Sequence, residues 1–171
     1  MSGSIRVLIF DWGGTLMREL PALQGPMANR PPLELLPGVA EALEQLGERL
    51  VCCVATNARV SGAALVGVAL SMAGVRHHFK HIFASRDMGV EKPAPGFFDK
   101  VLQTVGAEPH ECVMVGDDYR IDIVGAKNAG MRTIWFSEAG QEAPAPYADA
   151  VIDSMMDLVP AVKALEETDT P

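Results

Sequence analysis

Acidic residues, a threonine and a lysine stand at the ends of apolar runs that are typical of buried β-strands. Asp11 follows residues 5–10, Thr56 and Asn57 follow residues 50–55, and Asp117 follows residues 112–115 after one glycine. In an open parallel sheet, ligands bind outside the carboxyl ends of the strands. We therefore expect these side chains to meet at one edge of a sheet, together with Lys92, which precedes a predicted helix.

This set of residue types suits a phosphate and a hard cation. Asp11 and Asp117 could share Mg²⁺, which prefers oxygen ligands and usually keeps waters and a substrate phosphate. Gly13 and Gly14 allow a tight turn whose backbone N–H groups approach an anion. Thr56 and Lys92 could donate to phosphate oxygens, Lys92 as a point charge.

A structural explanation exists for each of these residues taken alone. A single aspartate at a strand end is more often the cap of a helix or turn than a catalytic group. Caps do not explain why all of these residues stand at strand ends, so the combination favours a binding site.

Strand and helix patterns alternate along the chain and predict the elements that position this site. Short apolar runs predict strands at 5–10, 50–55, 81–84, 112–115, 132–136 and 150–152. Helical spacing predicts helices at 38–47, 61–73, 93–105, 121–129 and 155–165, with Ser61 capping the second. The alternation is typical of an α/β three-layer sandwich with a mainly parallel, Rossmann-like sheet. We expect one domain over 1–165, with an irregular proline-rich loop at 21–37 and a flexible tail at 166–171.

Composition narrows the class of protein and of partner. The chain has 171 residues, of which 49% are hydrophobic, and a formal net charge of −8. This length suits one globular domain, and the acidic balance argues against a nucleic-acid or anionic-membrane partner. We expect neither a bilayer-spanning segment nor a signal peptide, because the apolar runs are too short for either. Three cysteines within apolar runs indicate buried, reduced thiols, so we expect a cytoplasmic protein.

The motifs resemble those of the haloacid-dehalogenase-like hydrolase superfamily, most of whose members are Mg²⁺-dependent phosphatases. That family begins with an apolar strand ending in Asp-x-Asp-Gly-Thr, and this chain has Asp11-Trp12-Gly13-Gly14-Thr15. Its second motif is a strand ending in Thr or Ser, similar to Thr56, and its third is a lysine before a helix, similar to Lys92. Its fourth is a Gly-Asp pair followed by another acid, similar to Gly116-Asp117-Asp118 with Asp122. The motifs occur in the family's order and cover nearly the whole chain.

The resemblance implies a phosphatase that works through a covalent intermediate. Asp11 would attack phosphorus and form an aspartyl-phosphate, and Lys92 would assist. Asp11, the Gly13 carbonyl oxygen and Asp117 would hold Mg²⁺. The phosphoryl group would be bound by Gly14, Thr56, Asn57 and Lys92. Asp118 or Asp122 would orient Lys92 or metal-bound water from the second layer of contacts.

Gly13 departs from the family pattern. Family phosphatases have an aspartate at this position, which serves as general acid and base. Loss of such assistance typically costs about 10²–10⁴-fold in rate. The sequence therefore predicts a weak or specialised phosphatase, and the alternative is a degraded phosphate-binding or protein-interaction module on the same fold.

The spacing of the motifs predicts a fold without a cap domain. The intervals from Asp11 to Thr56 and from Thr56 to Lys92 leave no room for a separate cap domain. No motif in the sequence identifies the substrate.

Two further segments are candidates for an interaction or a metal site. Residues 63–73 contain no charged side chain, which suggests either a homodimer contact or a helix covered within one chain. His77 and His81 have the spacing of a metal pair, but a surface connection with Phe79 packed inward explains this stretch better.

Overall fold

A six-stranded sheet, in which every neighbouring pair is parallel, forms the centre of the molecule. The structure, a computed structural model, describes residues 4–18, 33–140 and 144–168. The strands lie in the order β3-β2-β1-β4-β5-β6. Their bounds are β1 Val7–Phe10, β2 Val51–Thr56, β3 Phe79–Ala84, β4 Cys112–Gly116, β5 Arg132–Phe136 and β6 Ala150–Ile152.

Helices cover both faces of this sheet and make three layers. Their bounds are α1 Val39–Gly47, α2 Ala63–Met72, α3 Ser85–Met88, α4 Pro95–Val105, α5 Gly125–Asn128 and α6 Leu158–Glu167. Short 3-10 turns lie at Arg76–His78, Pro109–Glu111 and Met155–Asp157, and a π-helical turn at Tyr119–Val124 leads into α5. None of the described helices is both long and apolar enough to cross a bilayer.

Two hydrophobic cores, one on each face, explain why the central strands are apolar at consecutive positions. Leu8 and Phe10 of β1 pack with residues of α1, α2 and α6, whereas Val7 and Ile9 pack with residues of α4 and α5. A parallel sheet covered on both sides requires such runs. The predicted three-layer α/β fold is therefore confirmed.

The cysteines divide between these two cores. Cys52 lies on the α1 side and its neighbour Cys53 on the α4 side, as alternation along a strand requires. All three thiols are free and buried, and burial raises the pKa of Cys52, Cys53 and Cys112 to about 12. A thiol with so high a pKa is a poor nucleophile and metal ligand.

Several predicted boundaries shift in the structure. Helix α2 begins after Gly62 rather than at a Ser61 cap, and the Asp87 carboxylate accepts from the Ala63 N–H at 2.6 Å. Helix α6 continues through Glu166 and Glu167, which were predicted to be tail, and Arg49 pairs with Glu166 at 2.7 Å.

The predicted proline-rich loop falls largely outside the described residues, which omit 19–32. Its C-terminal end is described and lies beside the segment after β1. The Arg18 N–H donates to the Glu34 carbonyl and the Leu36 N–H to the Leu16 carbonyl, both at 3.0 Å. These bonds therefore join the residues that follow β1 to the segment that precedes α1.

Helix α2 is covered on one side only. Val66, Ala69 and Leu70 are buried, whereas Val68 and Met72 are 48% and 63% exposed. The expectation that this uncharged helix is buried on every side is thus not met within one chain.

The strand order places three candidate residues side by side. β1 lies between β2 and β4, and Phe10 is in register with Val54 on one side and Val115 on the other. Asp11, Thr56 and Asp117 therefore leave the same edge of the sheet from adjacent strands.

Candidate active site

The ammonium group of Lys92 is the centre of the site. Lys92 is 2% exposed, and its Nζ donates to Asp11 Oδ1 at 2.8 Å, to Asp122 Oδ1 at 2.7 Å and to the Ala55 carbonyl at 2.7 Å. These three acceptors use all three of its protons. Burial opposes the positive charge, but Asp11 and Asp122 outweigh it and hold the pKa of Lys92 above its ordinary value.

Asn57 fixes the backbone of Lys92. Its Nδ2 donates to the Lys92 carbonyl at 2.7 Å, and its Oδ1 accepts from the Lys92 N–H at 2.8 Å. The Asn57 side chain thus joins the loop after β2 to the segment before α4, and the predicted phosphate contact is one that the backbone around Asn57 would make. Sequence reasoning missed this role, because the two residues are far apart along the chain.

Asp11, Asp117 and Asp122 form an acidic cluster. One carboxylate oxygen from each lies within 4.8 Å of the others. Both oxygens of Asp122 have partners, because Oδ1 accepts from Lys92 and Oδ2 accepts from the Asp118 N–H at 3.2 Å. Asp11 and Asp117 are therefore better placed than Asp122 to hold a cation.

Two contacts orient Asp117 toward Asp11. The Thr15 hydroxyl donates to Asp117 Oδ1 at 3.1 Å, and the Trp135 indole donates to the Asp117 carbonyl at 3.0 Å. Gly14 has a φ of +75°, and a Cβ at this position would overlap the Asp117 carboxylate. Glycine is therefore required where the loop after β1 approaches Asp117.

Close packing of these carboxylates shifts their ionisation. Burial, together with repulsion from Asp11, raises the pKa of Asp117 to about 6. Burial raises the pKa of Asp122 to about 7, even though Lys92 beside it favours the ionised form. One lysine balances only one of the three carboxylates, and the donors are all oxygen, so the cluster fits a hard divalent cation such as Mg²⁺.

The loop after β1 directs the Gly14 N–H differently from expectation. The Gly14 N–H, which the sequence suggested for phosphate binding, donates to the Met17 carbonyl at 2.8 Å. The N–H groups of Leu16 and Met17 donate to the Trp12 carbonyl at 3.0 and 3.1 Å. Within the described ranges, this leaves the N–H groups of Trp12 and Gly13, next to Asp11, with no acceptor.

Trp12 follows Asp11 in the chain but lies in a hydrophobic core. It is 1% exposed and belongs to the core on the α1 side, so it is a core residue rather than a pocket wall. Its indole Nε1 is buried without a partner among residues 4–18, 33–140 and 144–168.

The remaining predicted residues have distinct positions. Thr56 Oγ1 accepts from the Ala58 N–H at 3.2 Å, which leaves its hydroxyl proton available to a ligand. Asp118 Oδ1 instead accepts from the N–H groups of Arg120 and Ile121, at 3.0 and 2.9 Å, and caps the π-helical turn. Of the two acids predicted to orient Lys92, Asp122 contacts it.

The histidine segment does not form a second acidic or histidine-rich centre. Phe79 is 3% exposed, as expected for an inward-packed residue. Among the described residues, the Asp11 cluster is the one group of three or more side chains arranged to hold a metal.

Comparison with known proteins assigns the family. The family model described as "Hydrolase: haloacid dehalogenase-like hydrolase" matches residues 19–130, about two thirds of the chain. This chain belongs to the haloacid dehalogenase-like hydrolase family. The match begins after Asp11, so the position of the first motif rests on the geometry described above.

Curated relatives and a solved structure agree with this family. The chain is 42% identical over 86 residues to glyceraldehyde 3-phosphate phosphatase of Pyrococcus furiosus, which is 47% of this chain and 35% of that protein. It is 41% identical over 63 residues to phosphoserine phosphatase of Thermus thermophilus, which is 37% of this chain and 25% of that protein. The matched part thus spans about a quarter to a third of these relatives. A crystal structure of an uncharacterized protein from Listeria monocytogenes serotype 4b has a TM-score of 0.85 at 24% identity, with 95% of this chain and 99% of that one covered.

The raised carboxyl pKa values predict how stability depends on pH when divalent cations are removed. Because the pKa values of Asp117 and Asp122 are raised to about 6 and 7, the folded protein binds protons that the unfolded protein has already released. The contribution of these groups to the free energy of unfolding is full below about pH 4 and is lost as the pH rises through 6 to 7.

Urea unfolding in EDTA measures this contribution as the difference between wild type and Asp117→Asn. Between about pH 5 and pH 7.5, wild type should lose on the order of 1 kcal/mol more than the variant, after allowance for solvent screening. Equal pH dependence in the two proteins would contradict the charge balance described here.

Proposed function

We propose that this protein is a Mg²⁺-dependent phosphoric-ester hydrolase that uses Asp11 as its nucleophile. The observation that carries the proposal is the contact of the buried Lys92 ammonium with Asp11 at 2.8 Å, beside Asp117. Relatives of the same family are named as phosphatases. The partner that this reaction requires is a phosphorylated substrate. A cytoplasmic location, and the lack of nucleic-acid or membrane partners, stay predictions from composition.

Asp11 would attack phosphorus through a carboxylate oxygen. An oxygen–phosphorus bond forms to Asp11 as the ester oxygen–phosphorus bond breaks, and the leaving alkoxide takes a proton from water. Water then hydrolyses the aspartyl-phosphate and returns Asp11 to the carboxylate. Dividing one difficult displacement into two easier ones is the benefit of a covalent intermediate.

The residues around Asp11 would bind the phosphoryl oxygens and neutralise their charge. The raised pKa of Lys92 keeps it cationic at neutral pH, so it acts as a fixed charge rather than as a base. The N–H groups of Trp12 and Gly13 and the hydroxyl of Thr56 are the donors without a competing acceptor in the described structure. Asn57 and Asp122 position Lys92 and do not need to touch the substrate.

Mg²⁺ would be held by Asp11, Asp117 and the Gly13 carbonyl oxygen. When bound, it would neutralise charge on the phosphoryl oxygens beside Asp11. Thr15 and Gly14 keep the Asp117 carboxylate in place for this role.

Gly13 supports the alternative of a phosphate-binding module that has lost turnover. Without a carboxylate at this position, the described residues 12–18 of the loop after β1 contain no carboxylic acid that could protonate the leaving group. The preserved contacts of Lys92 with Asp11 and Asp122 favour the enzyme, because a binding module does not need a buried lysine against a nucleophile.

Removal of the nucleophile separates these two functions. Asp11→Asn should reduce Mg²⁺-dependent hydrolysis across a panel of phosphate monoesters by at least about a thousandfold, because an amide cannot form the intermediate. Asp99→Asn, an exposed residue of α4, is the matched control and should keep wild-type activity. If wild type hydrolyses no ester but binds phosphate, the module is the correct function.

Restoring a carboxylate at position 13 should increase turnover. Gly13 is not among the glycines with positive φ, so its backbone conformation is one that residues with a side chain also adopt. Gly13→Asp should speed hydrolysis of simple phosphate esters by about tenfold or more, since a general acid and base is typically worth about 10²–10⁴-fold. Gly13→Asn has the same shape but cannot transfer a proton, and it should give no gain. An equal gain in both variants, or none in a folded Gly13→Asp protein, would contradict the alignment of the first motif.

The exposed side of α2 generates a prediction about assembly. We propose that two copies meet through Val68 and Met72, which lie on a helix without charged residues. Sedimentation at about micromolar concentration should give a dimer for wild type and a monomer for the Val68→Glu, Met72→Glu double variant. A monomeric wild type would remove this proposal.

A further inference from the structure

A second, positively charged cleft lies beside the candidate active site. It has a volume of about 260 Å³ and is lined by Arg59, Ser85, Arg86, Gly89, Val90 and Glu91. Arg59 lies in the loop after β2, Ser85 and Arg86 belong to α3, and residues 89–91 form the segment before Lys92. None of them takes part in the reaction proposed above.

Strand register and hydrogen bonds place this cleft next to the phosphate site. Thr56 is in register with Ala84, so Ser85, the first residue of α3, follows β3 at the same edge of the sheet where Asn57 follows β2. Glu91 directly precedes Lys92, whose backbone is held by Asn57. The segments that carry Asn57 and Lys92 therefore also border the cleft, which places it beside the proposed phosphate site.

The charges in the cleft favour an anion. Arg59 and Arg86 outnumber Glu91, in a chain whose net charge is −8. Arg86 Nη1 donates to the Val60 carbonyl, which fixes one end of its guanidinium and leaves its other N–H groups for a ligand. Local positive charge in an acidic protein steers anionic ligands to that position.

Arg59 can exchange its partner for a ligand. Its Nε and Nη2 donate to the two carboxylate oxygens of Glu91 at 3.3 and 3.2 Å, but the side chains of Arg59 and Glu91 are 79% and 48% exposed. An ion pair so exposed contributes little free energy, so its exchange for another carboxylate or phosphate costs little. A planar guanidinium binds either anion through two parallel hydrogen bonds.

We propose that the substrate carries a second acidic group, a carboxylate or a second phosphate, which Arg59 and Arg86 bind while the ester phosphate lies at Asp11. This inference rests on the proposed function and adds the chemical class of the leaving group. The cleft thereby gives the enzyme a specificity that the phosphate site alone cannot provide.

Pairs of matched substrates test whether the enzyme binds a second acidic group. Glycerol 3-phosphate and 3-phosphoglycerate differ in whether a second acid is present, as do the monophosphate and bisphosphate of propane-1,3-diol. In wild type, kcat/KM should favour an acid-bearing member by about tenfold, chiefly through KM. The carboxylate pair and the phosphate pair together show which anion is preferred.

Variants of the cleft should abolish the preference. In the Arg59→Gln, Arg86→Gln double variant, the ratio of kcat/KM between acid-bearing and acid-free esters should fall to about one. Because both substrates are measured on the same protein, a loss of folded enzyme cancels from the ratio. Arg49→Gln, which breaks a remote pair with Glu166, should leave the ratio unchanged.

A binding measurement tests the role of the cleft separately from the proposed reaction. The Asp11→Asn protein should bind 3-phosphoglycerate or the bisphosphate about tenfold more tightly than its acid-free partner in calorimetry, whether or not wild type turns it over. Selective binding without turnover in wild type would support the cleft and overturn the proposed reaction. Equal affinities and equal kcat/KM values within both pairs, or a preference that the double variant retains, would overturn the cleft's role.

Discussion

A charged lysine in the interior requires acceptors for all of its protons, and Lys92 finds them on three separate segments. Removing an ammonium group from water costs several kcal/mol unless it is well paired. The acceptors are Asp11 after β1, the Ala55 carbonyl in β2 and Asp122 after β4. The ends of these strands must therefore meet in a fixed geometry, and the parallel order β2-β1-β4 brings them together. The fold and the site thus depend on the same contacts.

This arrangement leaves negative charge in excess, because three carboxylates lie around one ammonium group. Lys92 donates to one oxygen each of Asp11 and Asp122, while Asp117 is held by Thr15 and has a pKa raised by burial and by Asp11. A divalent cation between Asp11 and Asp117 would relieve their repulsion and favour an anionic phosphoryl group in front of it. The Asn57 bonds that fix Lys92 also hold the segment that contributes Glu91 to the arginine-lined cleft. The proposed phosphate site and the proposed specificity cleft would therefore depend on the same short stretch of chain.

The sequence was informative wherever a property depends on local pattern. Continuous apolar runs located β1, β2 and β4. Positions at strand ends identified Asp11, Thr56 and Asp117, and the position before a predicted helix identified Lys92. It was less informative about hydrogen bonds between distant segments. The engagement of Gly14 with Met17, of Asn57 with Lys92 and of Asp87 with α2 depends on how loops close after folding. Asp118 and Asp122 were likewise indistinguishable until the π-helical turn directed one to a cap and the other to Lys92.

Covalent labelling of Asp11 tests the central claim most directly. Wild-type protein is mixed with Mg²⁺ and a radiolabelled phosphate ester that it hydrolyses, quenched in acid within one turnover, digested and analysed by mass spectrometry. The account predicts a phosphorylated peptide that contains Asp11 and loses its label in hydroxylamine, as an acyl phosphate does. Hydrolysis of the ester without label on Asp11 at any quench time, or with label on another residue, would contradict it.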